Sequence, residues 1–177
     1  MLKRLRTLRR ASDGLAAVEF ALILPVLLAL VFGAIEVTSA LICKTDVTDT
    51  ASTAADLVAQ ESSIGDADIN NVFSALTALV YPYPVAASQV VISSVIDDGH
   101  GGGKVAWSDA YQATPRSVGS SVTVPAGLIT TGGSVVMAEV TYTYTSPSTY
   151  LIKLPISMQN TFYSHPRRVA QIQRTHP

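Results

Sequence analysis

The chain has 177 residues, 48% of them hydrophobic and 14% charged, with one Cys and a formal net charge of −1, which leaves room for one domain of ordinary size. A single Cys excludes an internal disulfide framework and a cysteine-rich zinc site, and near-neutrality gives no global attraction to nucleic acid. The averages hide a segregation: Lys3, Arg4, Arg6, Arg9 and Arg10 hold five of the 12 basic residues, and an apolar run follows at once.

That run, residues 15–43, reads LAAVEFALILPVLLALVFGAIEVTSALIC, with Glu19 and Glu36 its only charges. As a helix it would be roughly 43 Å long, enough to cross a hydrocarbon core of about 30 Å and project beyond it. The spacing predicts a transmembrane helix. Its uncharged centre, residues 20–35, is short, so Glu19 must lie near one interface or find a partner within the membrane. The basic cluster before the helix, with only Lys44 near its other end, places the N-terminus in the cytoplasm and exports the rest. A cleaved signal peptide is the competing reading, disfavoured because its apolar core is normally shorter and Thr38-Ser39-Ala40 is a weak exit. Ile42 is too bulky for a lipobox before Cys43, which reads as a small apolar residue at the membrane exit.

The junction is more specific than its hydropathy. Gly14 ends the polar leader, four residues follow, and Glu19-Phe20 heads the apolar helix. This arrangement resembles the processing site of type IV prepilins and pseudopilins. The fuller string GLAAVEFALILPVLL, residues 14–28, is similar to the start of the TadE/TadG family of the tight-adherence (Flp, type IVb) pilus machinery. The closing Phe162-Tyr163-Ser164-His165-Pro166-Arg167-Arg168 also looks like endings in this family. The resemblance implies cleavage between Gly14 and Leu15 by a membrane prepilin peptidase, with this chain as substrate. Removing the leader, five bases less Asp13, takes away +4 and leaves a mature chain of −5 from the total of −1. It further implies that Glu19 pairs with the free amine of a neighbouring subunit's Leu15 during assembly. A carboxylate stranded in lipid costs about 3 kcal/mol, so pairing rewards correct packing. On the residues alone, Glu19 snorkelling to the headgroups and Gly14 as a flexible joint remain the alternatives.

Along the same helix Ala17, Ala21, Pro25, Ala29 and Gly33 recur every four residues, a small-residue stripe that would let membrane helices approach closely. Glu36 falls on roughly the same side, where it would meet a partner just outside the core. Pro25 lacks a backbone donor and is expected to bend or loosen the helix.

Beyond the membrane, residues 44–64 read as an amphipathic helical stem with Val47, Ala51, Ala54, Leu57 and Val58 on one face. Ser62-Ser63-Ile64-Gly65 breaks it, and Asp66 or Asp68 caps a second helix with the stripe Ile69, Val72, Phe73, Leu76, Leu79 and Val80. Tyr81-Pro82-Tyr83-Pro84 ends that helix. Residues 89–96 and 104–111 then predict a β-hairpin around the Gly-rich turn 97–103, with Trp107 on the returning strand. Asp97, Asp98 and His100 lack a fourth metal ligand and read as a solvated turn. Residues 114–133 are expected to be loop. Residues 134–145 form the clearest strand, with Val136, Ala138, Val140, Tyr142 and Tyr144 on one face, and 157–163 a further one. Residues 44–139 hold ten acids against three bases, whereas 140–177 hold no acids and four bases. This predicts a solvated surface with a basic tail, or complementary packing between subunits.

The expected architecture is α+β: a leader (1–14), a transmembrane helix (15–43), a stem (44–64) and a small, pilin-like exported domain (65–177) with a second helix and an antiparallel sheet. No nucleophile–base pair, metal set or phosphate loop is present, and His100, His165 and His176 lie in a turn or near the tail, so no catalysis and no cofactor are expected. The resemblance implies a minor pilin or pseudopilin in the inner membrane, N-terminus cytoplasmic and domain periplasmic. Its partners would be prepilin peptidase, other pilins or pseudopilins and pilus-machine membrane proteins, with no nucleic acid. An uncleaved, membrane-anchored periplasmic scaffold or binding protein is the alternative. The length suits the shorter TadE-like type.

Overall fold

Helix α1 runs from Asp13 to Ala59, 47 residues and about 70 Å at 1.5 Å per residue. The computed structural model describes residues 13–79, 81, 83–148 and 150–175. The basic leader up to residue 12, Val80 of the second-helix stripe, Pro82 of its stop signal and His176 lie outside the described residues. α1 is one continuous element through Pro25 and across the junction of membrane segment and stem. Every residue from 14 to 32 is exposed, and apart from Glu19 the exposed side chains are apolar around the whole circumference. The stem instead buries one face, formed by Cys43, Val47, Thr50, Ala51, Ala54, Ala55 and Val58.

Hydrogen bonds from Gln60 N to Leu57 O and from Glu61 N to Val58 O close the last turn. A two-residue strand β1 (Ser63–Ile64) follows, and then α2 (Asp66–Leu79), which buries Ile69, Phe73 and Leu76. Asp68 caps α2 by reaching back to accept the Gly65 N–H at 2.9 Å, satisfying a donor that the helix cannot. A short 3₁₀ turn, Val85–Ala87, leads into β2 (Ser88–Asp97). The remaining strands are β3 (Gly103–Tyr111), β4 (Ser121–Val122), β5 (Ser134–Tyr144), β6 (Ile156–Ser164) and β7 (Gln173–Arg174).

Five strands make an antiparallel sheet in the order β4-β3-β2-β5-β6. The period-two pattern of β5 decides its two faces. Val136, Ala138, Val140, Tyr142 and Tyr144 join Val90, Ile92 and Trp107 beneath the stem. Val135 and Met137 join Val95, Val105 and Val122 on the opposite side, under Val124, Leu128 and Ile129. A register shift opposite Ser94 and Val95 lets β3 point both Val105 and Trp107 inward, one into each layer, because the extra residue Ala106 resets the alternation. Ala51, Ala54 and Ala55 bring the stem backbone close to the sheet, and each fully buried Val or Ile around them contributes about 1.5–3 kcal/mol.

The architecture is the expected α+β, an apolar N-terminal helix carrying a helix-and-sheet domain. Two segments differ from the sequence reading. Residues 121–122, expected as loop, pair with Gly103 and Lys104. The C-terminal tail, expected to be a solvated basic appendage, docks: β7 runs parallel to β1, Ile172 is buried, and Arg167 N–H donates to Ala59 O at 2.9 Å. The terminal carbonyls of α1, without partners inside the helix, supply part of the reason.

Candidate functional site

The exposed part of α1 carries the residues singled out at the junction. Gly14 lies in the first turn of α1, with nothing within 4 Å of the position a Cβ would occupy. Leu15, Glu19 and Phe20 follow on the same bare surface, and Ala17, Ala21, Pro25 and Ala29 are exposed along it. The structure therefore leaves the Gly14–Leu15 bond, the Glu19 carboxylate and most of the small-residue stripe free of the domain. Gly33 is the exception. It is buried, and a Cβ there would lie 2.7 Å from Leu151 Cδ1, so this position is used for packing within the chain.

Leu151 belongs to the loop between β5 and β6, which folds back onto the membrane helix. Glu36, expected to meet a partner outside the core, meets this loop and is 2% exposed. Its Oε1 accepts hydrogen bonds from Ser146 Oγ and, at 3.1 Å, from Ser148 Oγ. Its Oε2 accepts the backbone N–H of Leu151 at 2.6 Å and of Ile152 at 3.2 Å. Four neutral donors thus solvate a carboxylate near the membrane, as hydrogen bonds to an ionised acceptor are stronger than neutral ones. Next to this latch the Tyr150 ring stacks on Phe32, with centroids 5.1 Å apart. Pro25, Leu28, Ala29, Phe32, Tyr150 and Leu151 line an adjoining groove of about 320 Å³. The sequence reading missed this loop. Its available signal was a cluster of Tyr150, Leu151 and Leu154 with two serines, too irregular to register as helix or strand.

A family model described as TadE-like protein matches residues 14–56. The chain carries a TadE-like domain. The match accords with the resemblance of residues 14–28 to the start of the TadE/TadG family. The TadE-like match begins at Gly14 and ends in the stem, so it covers the membrane helix and the buried alanine face, whereas α2 and the sheet lie outside it. Neither the curated proteins nor the solved structures compared with this chain gave a match.

This helix fits a single-pass membrane protein: its most apolar stretch is long enough to cross a bilayer and is exposed along its whole length. Above it the stem is fastened by polar contacts. Ser39, Thr45, Thr48 and Thr50 hydroxyls donate back to carbonyls four residues earlier. Asn160 Nδ2 donates to Thr48 Oγ1 at 2.7 Å, and Tyr83 OH donates to Ser39 O at 3.0 Å. Cys43 is buried in this packing.

The charge segregation is used within the chain. Arg174 donates to Asp109 at 2.8 Å and to Asp66 at 2.5 Å. The Asp109 hydrogen bond raises the guanidinium above its ordinary value against opposing burial, and the Asp66 bond adds to it. Arg167 pairs with Asp56, and Arg116 grips Glu139 with two bonds of 2.6 Å. In the hairpin turn Asp98 Oδ1 accepts His100 N–H at 2.7 Å and Gly102 N–H at 2.9 Å, which holds its carboxyl below the ordinary range. Asp97 likewise accepts Gly99 N–H at 3.0 Å. These carboxylates build the turn, and among the described residues no group of three or more His, Cys, Asp or Glu is placed to hold a metal ion.

Proposed function

We propose that this chain is a minor pilin or pseudopilin-like component of the tight-adherence type IV pilus assembly system, cleaved after Gly14 by a prepilin peptidase and assembled through its membrane helix. The observation that carries the reading is the bare helical surface 14–32, on which Glu19 is exposed five residues beyond the Gly14–Leu15 bond. A stranded membrane carboxylate favours a partner, and the amine released at Leu15 of a neighbouring copy is a complementary charge. Gly14 has no side chain to obstruct attack on its carbonyl, and the basic leader holds that bond at the cytoplasmic face of the inner membrane. The domain is then periplasmic. The role is structural, with the chain as the peptidase's substrate, and the exposed stripe Ala17, Ala21, Pro25 and Ala29 serves close helix packing with other pilus-machine subunits.

Intact-mass spectrometry of the protein from cells containing the cognate peptidase tests this. The expected mature N-terminus is Leu15, and Gly14→Asp is expected to accumulate the uncleaved form. Chains starting at Met1 or Leu2 throughout would instead support an uncleaved anchored scaffold.

A further inference from the structure

The β5–β6 loop presents an apolar surface that the fold leaves uncovered: Tyr150 and Leu151 are each 62% exposed and Leu154 77%, with exposed Lys153 among them. Elsewhere such side chains would be an anomaly, since large exposed apolar patches mark contact sites. Here they adjoin another exposed apolar surface, the bare helix. Tyr150 stacks on Phe32, and Tyr150 and Leu151 share a groove with Pro25, Leu28, Ala29 and Phe32.

The height of the loop along α1 identifies what covers it. If Gly14 stands at one edge of a hydrocarbon core of about 30 Å, the other edge falls near Ala34 at 1.5 Å per residue. Tyr150 and Leu151, in contact with Phe32 and Gly33, then lie within roughly the last 10 Å of the core and its boundary, the depth at which interfacial elements bury their apolar faces. Glu36 falls just outside, where its four hydrogen bonds fasten the loop. Tyr150 combines a ring with a polar hydroxyl, which suits the headgroup boundary. The Lys153 stem is long enough to keep its ammonium in the headgroups while neighbouring side chains enter the acyl region.

We propose that the β5–β6 loop is a second membrane-contact element, inserting Tyr150, Leu151 and Leu154 into the interfacial layer of the bilayer beside α1. The proposal rests on α1 spanning that bilayer. A wedge fastened to the helix at Glu36 fixes how deeply the helix sits and how closely the domain approaches the surface.

The test places an environment-sensitive fluorophore at Leu154→Cys, Leu22→Cys or Glu61→Cys in the full chain, with Cys43 left buried in place. The proteins are reconstituted into phosphatidylethanolamine–phosphatidylglycerol vesicles containing lipids with a nitroxide near the headgroup or near the chain end. Leu154→Cys is expected to be blue-shifted and quenched about twofold or more by the shallow nitroxide, and less by the deep one, as for an interfacial group. Leu22→Cys, near mid-span, is expected to show the reverse preference, and Glu61→Cys, beyond the far end of α1, neither. Quenching at Leu22→Cys with none at Leu154→Cys overturns the loop proposal while the span stands. A Leu154→Cys label that is blue-shifted but unquenched also overturns it, pointing to a second copy or another protein over the patch. No quenching at Leu22→Cys removes the span and the proposal together.

Discussion

The Glu36 carboxylate on the membrane helix accepts the Leu151 backbone N–H at 2.6 Å, joining residues 115 positions apart. An acid that interrupts an apolar run is thereby turned into the attachment point of a loop. The same contact divides α1 into a bare segment below and a packed stem above.

Glu36→Ala is expected to release that loop. Two hydroxyls and two amides lose their shared acceptor, and amide exchange at Leu151 and Ile152 should accelerate about tenfold or more, as local opening no longer breaks strong bonds. Glu36→Gln is expected to do much of the same, because its amide nitrogen presents hydrogens to donors. Unchanged exchange in both variants would show that the loop is held by Tyr150 and Leu151 packing alone.

The tail is expected to contribute to folding through Arg174 and Trp107. The Arg174 guanidinium is 8% exposed between Asp109 and Asp66, so Arg174→Met leaves Asp109 without that charge and should cost about 2 kcal/mol, the half-exposed Asp66 arm counting for little. A lowered thermal midpoint in detergent is the measurement. Trp107 donates its indole N–H to Ile172 O at 2.8 Å and is the chain's one Trp. Ile172→Asp should therefore red-shift the intrinsic fluorescence as the tail lifts away.

The hairpin turn should weaken in acid. The backbone hydrogen bonds from His100 and Gly102 depress the Asp98 pKa below its ordinary 3.8. A group whose folded pKa is depressed contributes stability that is fully present above its unfolded value and is lost as pH falls through the folded one. Protection of the His100 and Gly102 amides is therefore expected to be flat near neutrality and to decline below the ordinary Asp range. Asp98→Asn should abolish that dependence when exchange is followed by NMR.

Glu19 separates processing from assembly. Glu19→Val removes the exposed carboxylate from the bare helix without touching the domain. It is expected to yield a membrane-inserted chain that is still cleaved at Leu15 but is defective in pilus assembly, scored by electron microscopy of the piliated cells. Normal piliation would take the proposed pairing role away from Glu19.

The apolar run, the Gly14–Glu19 spacing, α2 and the strands 88–97, 103–111, 134–144 and 156–164 were all legible in sequence, because each is set by local periodicity: near-continuous hydrophobicity for a membrane helix, 3.6 residues for α2 and two for β5. The partners of Glu36, Arg174 and Trp107 were not legible. Their contacts join residues 65 to 116 positions apart, and no local pattern specifies which irregular loop will cross which helix. The sequence by itself thus determined a membrane helix, its charge asymmetry and an α+β domain. Only the tertiary structure decided that the tail is docked, that Gly33 and Glu36 are engaged by their own chain, and that the bare helix ends where the β5–β6 loop meets it. The physical reason is that hydrogen-bond donors and charges are satisfied by whatever the fold brings near, whereas periodicity reports only which side of an element faces away from water.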